Sequence, residues 1–223
     1  MIFTIDRLLK DGAFTYGINK HHSNVQINLE SEQFAAHHFE IQIGAEAGMT
    51  PLQFCIDGTD GRLEVANNPL KIQVESDGNG VSKGTVGEVY VGNTSFEIKY
   101  CQAKGKGLFG GYSYYELIND GDVYKIYDVN QGAKKGRNFC IYLNDVLVAN
   151  AEFANLGFVG AVYTVYSENH IDAHILVFLL MFSDAVILRN ADQDAALFVA
   201  LPKEIKNKYD ADFVKRISER DGK

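Results

Sequence analysis

The sequence predicts a mostly β protein: an antiparallel barrel, closed or nearly closed, whose lumen is filled by the chain's own apolar helix. Three observations carry this expectation. Short β-type runs fill the chain from about Phe14 to Tyr166, the links between them are rich in Gly, Asn and Asp, and one unbroken apolar stretch follows at Ile175–Phe182.

The runs come first. "NVQINLE", "LQFCID", "RLEVA", "LKIQVES", "GEVYVG", "SFEIKY", "YSYYELI", "VYKIYDV", "NFCIYLN", "VLVANAEF" and "AVYTVYS" mostly alternate apolar and polar residues, the period of a half-buried strand. The links "DGTDG", "ESDGNG", "NDGD" and "NDV" carry the residues that tight hairpin turns require, because a positive φ is cheap for Gly and tolerable for Asn or Asp. Ten or more strands joined this way imply an antiparallel meander. The segment "SEQFAAHHFE" is open at this level, since Ser31 is a fit cap for a short helix and Ala35–Ala36 favour one. Proline stands only at Pro51, Pro69 and Pro202, so no proline-rich linker divides the chain.

The pattern changes at "SENHIDAHILVFLLMFSDAVILRN". A helix over this stretch has no polar stripe, so apolar material must cover every side of it. A membrane span asks for ~20 apolar residues, whereas Asp172, His174, Ser183 and Asp184 interrupt this run. Protein is the better cover: a helix of about 16 residues spans ~24 Å, comparable with the height of a small barrel. Asp172 then sits in the first turn, at the positive end of the macrodipole, and Asn169 or Ser167 serves as the cap. The expected organisation is a barrel over residues 1–189, with its helix at about 170–189, and a charged, helical C-terminal extension over 190–223, broken at Pro202.

Composition narrows the function. A hydrophobic content of 46% over 223 residues is enough for a sizeable core. The net charge of -8 argues against general nucleic-acid binding, which needs a basic face to release counterions. Cys55, Cys101 and Cys140 lie far apart in apolar text with no C-x-x-C pair, the usage of reduced core thiols in a cytosolic compartment. Asp6, Arg7 and Lys10 break the start where an export signal needs an apolar run.

From Phe109 to Asp184 the chain resembles the bacterial branch of the tubby C-terminal-like superfamily, which includes LURP-one-related and phospholipid-scramblase-like proteins. The likeness is carried by Tyr124-x-x-Tyr127, the Gly132-Ala-Lys-Lys-Gly136 loop, Ile141–Tyr142, Tyr163-x-x-Tyr166 and the apolar run ending at Asp184. The resemblance implies a closed barrel of about twelve strands around a central hydrophobic helix. It also implies association with phosphoinositides or membranes, although the family's phosphoinositide-binding residues find no residue-by-residue match in this chain.

Candidate sites are few. "KGKGLFGG" contains a literal G-x-G-x-x-G at Gly105, Gly107 and Gly110. A dinucleotide fingerprint needs a helix after the glycines to present its amides to pyrophosphate, and "YSYYELI" is β-like instead, so the match is accidental. What remains is a glycine loop with Lys104 and Lys106, and a second with Lys134, Lys135 and Arg137. Glycines let backbone amides approach an anion while the cations flank it. These five residues are the candidate anion or lipid-headgroup site. His21–His22 and His37–His38 lack a completing Cys or carboxylate at ligand spacing, and neighbouring strand residues point to opposite faces, so no metal and no cofactor is expected. His174 and Asp184 fall near the ends of the apolar run, where polar rim groups are within reach. No G-x-S-x-G elbow and no Cys beside a plausible base occurs, and no catalytic residue is assigned.

The expected function is a non-enzymatic, cytoplasmic binding module, peripheral at the membrane if its partner is an anionic lipid surface, with no transmembrane span. The alternative is a regulatory or scaffold protein that contacts another protein through its acidic surface and C-terminal tail.

Overall fold

The computed structural model describes residues 1–10, 13–19, 38–41, 50–56, 59–65, 75–76, 78, 80–91, 94–104, 111–130, 137–155, 160–171, 175, 176, 179, 180, 183 and 203–221. Among them stand β1 (Ile2–Lys10), β2 (Ala13–Asn19), β3 (His38–Ile41), β4 (Thr50–Ile56), β5 (Thr59–Val65), β6 (Glu75–Ser76) and β7 (Val81–Val91). The second half adds β8 (Thr94–Lys104), β9 (Gly111–Asn119), β10 (Asp122–Asn130), β11 (Arg137–Leu143), β12 (Val146–Asn155) and β13 (Gly160–Ser167). Two helices close the chain, α1 (Lys203–Lys206) and α2 (Ala211–Asp221).

All the strands join one sheet in the order β3-β2-β1-β13-β12-β11-β10-β9-β8-β7-β5-β4, with β6 on β7. From β7 to β13 this is a plain meander of antiparallel neighbours, as short polar links require. Two links show their chemistry directly. The "NDGD" turn has positive φ at Asp120 and Gly121, and the "LNDV" turn has it at Asn144 and Asp145, the backbone sign that two-residue hairpins need. Asn144 braces both turns: its amide donates to Asp122 Oδ1 at 2.9 Å and its carbonyl accepts from the Val123 amide at 3.0 Å.

β1 is a strand that alternation does not announce. "IFTIDRLLK" pairs along β13, from Ile2 opposite Tyr166 to Leu8 opposite Gly160, and so lies well inside the sheet. Of the open segment "SEQFAAHHFE", His38 to Glu40 form most of β3 and the rest falls outside the described residues.

Two parts of the expected architecture are overturned. The barrel does not close: the hydrogen-bonded path begins at β3 and ends at β4, and among the described residues no ladder joins those two edges. Closure needs one continuous ladder whose stagger matches around the ring, and β3, with four residues, offers little to pair with. No central helix stands among the described elements either. Only Ile175, Leu176, Leu179, Leu180 and Ser183 are described in the apolar run; each is helical in conformation, but no continuous helix over 170–189 stands among the described elements and no closed sheet surrounds them. Leu176, Leu179, Leu180 and Ser183 are buried, and the Ser183 hydroxyl donates to the Leu179 carbonyl one helical turn back at 2.9 Å.

The core follows from the register. Phe3, Val165, Ala151 and Phe139 are successive cross-strand partners on one face, with Ile5 and Tyr163 beside them, and all are buried. The opposite face is buried too. Phe139, Cys140 and Ile141 are consecutive and at most 1% exposed, so β11 is covered on both sides. The cover over Cys140 comes from the tail. Ile205, buried in α1, packs with Cys101, Tyr114, Tyr127, Val129 and Cys140, and Tyr209 adds to the same cluster.

α2 is seated by its own pattern. Asp210 caps it, accepting from the amides of Asp212 at 2.9 Å and Phe213 at 3.3 Å. Phe213, Ile217 and Asp221 recur at four-residue spacing and are all buried, so one helical face turns inward. Burying Phe213 and Ile217 contributes ~1.5–3 kcal/mol each. At the end of the helix, Arg220 donates to Glu168 at 2.8 Å, to the Ser167 carbonyl at 3.0 Å and to Asn169 at 3.0 Å. Asp221 accepts from Arg220 and from the Met1 ammonium group, so the tail is tied to the start of β1 and the end of β13.

Candidate functional site

The register decides which loops share an end of the sheet. Lys104 closes β8 opposite Gly111, the first residue of β9. Arg137 opens β11 opposite Asn130, the last residue of β10. The segments 105–110 and 131–136 therefore leave and re-enter the sheet at the same rim. Lys104 and Arg137 stand on strands three apart, which is ~14 Å at ~4.8 Å per strand. Lys106, Lys134 and Lys135 lie outside the described residues, as do His21, His22, His37, His174 and Asp184.

The two described candidates differ in character. Lys104 is exposed, and its main-chain amide donates to the Gly80 carbonyl at 3.1 Å. Arg137 is committed: its Nε donates to Asp128 Oδ1 at 2.8 Å and its Nη2 to Oδ2, while the guanidinium carbon lies 5.6 Å from the Phe139 ring centre. The carboxylate cancels the charge that the sequence assigned to an incoming anion. Asp128 and Arg137 flank the same hairpin, so this pairing was visible in principle from nine residues of sequence.

The opposite rim carries Asp120, Asp122 and Asp145 on the two tight turns, and Glu168 just after β13. There Lys125 binds Asp145 at 2.6 Å, and Arg216 and Arg220 bind Glu168 at 2.7 and 2.8 Å. Bonds from both arginines lower the Glu168 carboxyl against the opposing effect of burial, and the Lys125 bond lowers that of Asp145.

The glycine-rich "KGKGLFGG" segment joins two antiparallel neighbours, β8 and β9. The strand β9 follows it where a dinucleotide site has a helix N-terminus.

A second constellation, absent from the sequence reading, lies on the face under the tail. Tyr114 and Tyr127 have ring centres 5.0 Å apart, and Tyr127 and Tyr142 meet edge to face at 5.5 Å and 84°. Lys208, between α1 and α2, places Nζ 4.4 Å from the Tyr127 centre and 4.7 Å from that of Tyr142. The Tyr142 hydroxyl donates to the Lys208 carbonyl at 2.8 Å. Beneath them the Cys140 thiol donates to Asn150 Oδ1 at 3.3 Å, and Asn150 donates to Asn138 Oδ1 at 3.3 Å. Burial pushes Cys101 up to about 11, Cys140 up to about 12 and Tyr142 up to about 12. The two thiols stay protonated at neutral pH, and a thiol is not the nucleophilic form. Cys101 and Cys140 are both free. Among the described residues no group of three or more His, Cys, Asp or Glu is placed to hold a metal ion.

The sequence signal for this cluster was "YKIY". An i, i+3 spacing in a strand sends its members to opposite faces, so Tyr124 and Tyr127 serve different layers. The partner Lys208 is 66 residues from Tyr142, and no local pattern connects them.

The fold and site define a protein with one large open antiparallel sheet whose second face is covered in part by its own C-terminal helices. Comparison with protein-family models, with curated proteins and with solved structures finds nothing that matches this chain. Among the described residues no helix is long and apolar enough to cross a membrane.

Proposed function

We propose that this chain is a non-enzymatic binding module that takes an anionic phosphate group, presented as a phospholipid headgroup, at the rim bearing Lys104. The observation that supports this reading is topological: two glycine-lysine segments connect strands at one rim, while the turns bearing Asp120, Asp122 and Asp145 lie at the other. Lysines gathered at one rim favour an anionic surface, to which each basic residue contributes ~1 kcal/mol. Lys104, Lys106, Lys134 and Lys135 carry the interaction on this reading. Arg137 acts through its pairing with Asp128, holding the base of its hairpin. The residues that resemble tubby-like proteins bear on packing: Tyr127, Ile141 and Tyr163 are buried in the sheet, so the likeness leaves the ligand open.

The test is vesicle co-sedimentation with phosphatidylcholine alone against phosphatidylcholine mixed with phosphatidylserine, with inorganic phosphate as a competitor. Binding only to the mixed vesicles, lost on charge reversal of the four lysines and weakened by salt, is the expected result. Equal binding to both vesicle types removes the reading; competition by phosphate without any vesicle binding reassigns the rim to a free anion.

The alternative, partner capture by the C-terminal tail, has less support: the described apolar residues Ile205, Phe213 and Ile217 are buried against the chain's own sheet. Among the described residues of the tail, the outward residues of α2, such as Lys215 and Glu219, remain for a partner.

A further inference from the structure

Lys208 occupies an unusual place for a primary ammonium. Its Nζ faces two tyrosine rings set nearly at right angles, and among the described residues it makes neither a hydrogen bond nor an ion pair. Burial lowers its pKa, opposed mainly by the field of Asp145, while Lys125 adds to the lowering. A primary ammonium is strongly hydrated and carries three donors, and here the donors meet aromatic faces. An alkylated ammonium has few or no N–H groups to satisfy and gains from the same faces.

The walls do not depend on the lysine that fills them. Tyr127 is 3% exposed and held by Tyr114 at 5.0 Å and Tyr112 at 6.5 Å. Tyr142 is fixed through its hydroxyl to the main-chain carbonyl of residue 208, a bond that any side chain at that position preserves. Asp145 favours a cation here, although Lys125, bound to it at 2.6 Å, offsets part of that field. The two rings are thus preorganised around a cation, and its present source is the half-buried Lys208 between α1 and α2.

We infer that Tyr127 and Tyr142 form an aromatic cage for an alkylammonium group, which Lys208 occupies in cis and must vacate for an external ligand to enter. The ligand class is a quaternary ammonium, as in choline or trimethyl-lysine. This inference is independent of the lysine rim and stands on a different face and different chemistry.

The test uses the full chain with two probes, phosphocholine and Nε-trimethyl-lysine amide, followed by ligand-observed NMR. The neutral control is 3,3-dimethyl-1-butanol, which matches choline in shape but lacks its charge. Lys208→Ala is expected to bind the charged probes roughly tenfold more tightly than the native chain, to ignore the neutral one, and to lose the gain when Tyr142→Leu is added. Preference between the two probes tells a lipid-type headgroup from a methylated side chain. A second measurement needs no variant to fold: reductive methylation of the native protein with ¹³C-formaldehyde should give one dimethyl-lysine signal moved upfield by ring currents. A Lys208→Arg chain identifies that signal by its loss. Failure of Lys208→Ala to gain affinity, equal binding of the neutral isostere, or the absence of a ring-shifted dimethyl-lysine signal overturns the inference.

Discussion

The hydroxyl of Tyr142 on β11 donates a 2.8 Å hydrogen bond to the main-chain carbonyl of Lys208, the point at which the C-terminal tail passes over the sheet. Replacing Tyr142 with Phe keeps the ring and removes the donor, leaving a partly buried carbonyl without it. The expected loss is ~1 kcal/mol, read as a fall of ~2–4 °C in melting temperature for a chain of this size.

Asp221 sets an acid limit to stability. Its carboxyl is held down to about 2 from an ordinary value of 3.8, chiefly by the Arg220 hydrogen bonds and also by the Met1 ammonium group. A depressed carboxyl stabilises the fold above its unfolded pKa and stops doing so as pH falls through its folded one. Stability is therefore expected to drop by about 2 kcal/mol between roughly pH 4 and pH 2. Denaturant titrations across that window should show the drop, and Asp221→Asn should flatten it while lowering stability at neutral pH.

Lys83 and Glu116 form a bidentate pair at 2.8 and 3.0 Å, with Glu116 only 3% exposed. Removing the cation alone strands a buried carboxylate, so Lys83→Met should cost ~3 kcal/mol. Adding Glu116→Leu removes the charge as well and should restore most of the loss. Urea midpoints of the single and double variants check this; equal destabilisation in both would place the cost in packing instead.

The tail should control thiol access. Cys140 is buried under Ile205, and burial keeps both Cys101 and Cys140 protonated. A native sample is expected to react slowly at both with an alkylating reagent at neutral pH. Ile205→Asp should lift α1 from the sheet and speed modification of Cys140, as followed by peptide mass mapping.

Much of the sheet was legible from residue patterns. "YSYYELI", "VYKIYDV" and "AVYTVYS" lie within strands β9, β10 and β13, "NFCIYLN" lies in β11 up to its last residue, and the links turn where Asn, Asp and Gly stand. Alternation worked there because each strand meets different surroundings on its two sides. It failed for "IFTIDRLLK", whose consecutive apolar residues read as neither period, although β13 makes it a strand by pairing. The candidate site was legible only in part. Both lysine segments were found, but the shared rim came from register, and Asp128 proved to hold Arg137.

Local chemistry, then, determined where this chain extends and where it turns, since those preferences belong to a residue and its immediate neighbours. Tertiary structure alone decided that the sheet stays open, that the tail covers its second face, and that Lys208 lies between Tyr127 and Tyr142. Each of these depends on contacts between segments far apart in sequence. Their free energy comes from surface removed from water and charges brought together, quantities that no short stretch of sequence contains.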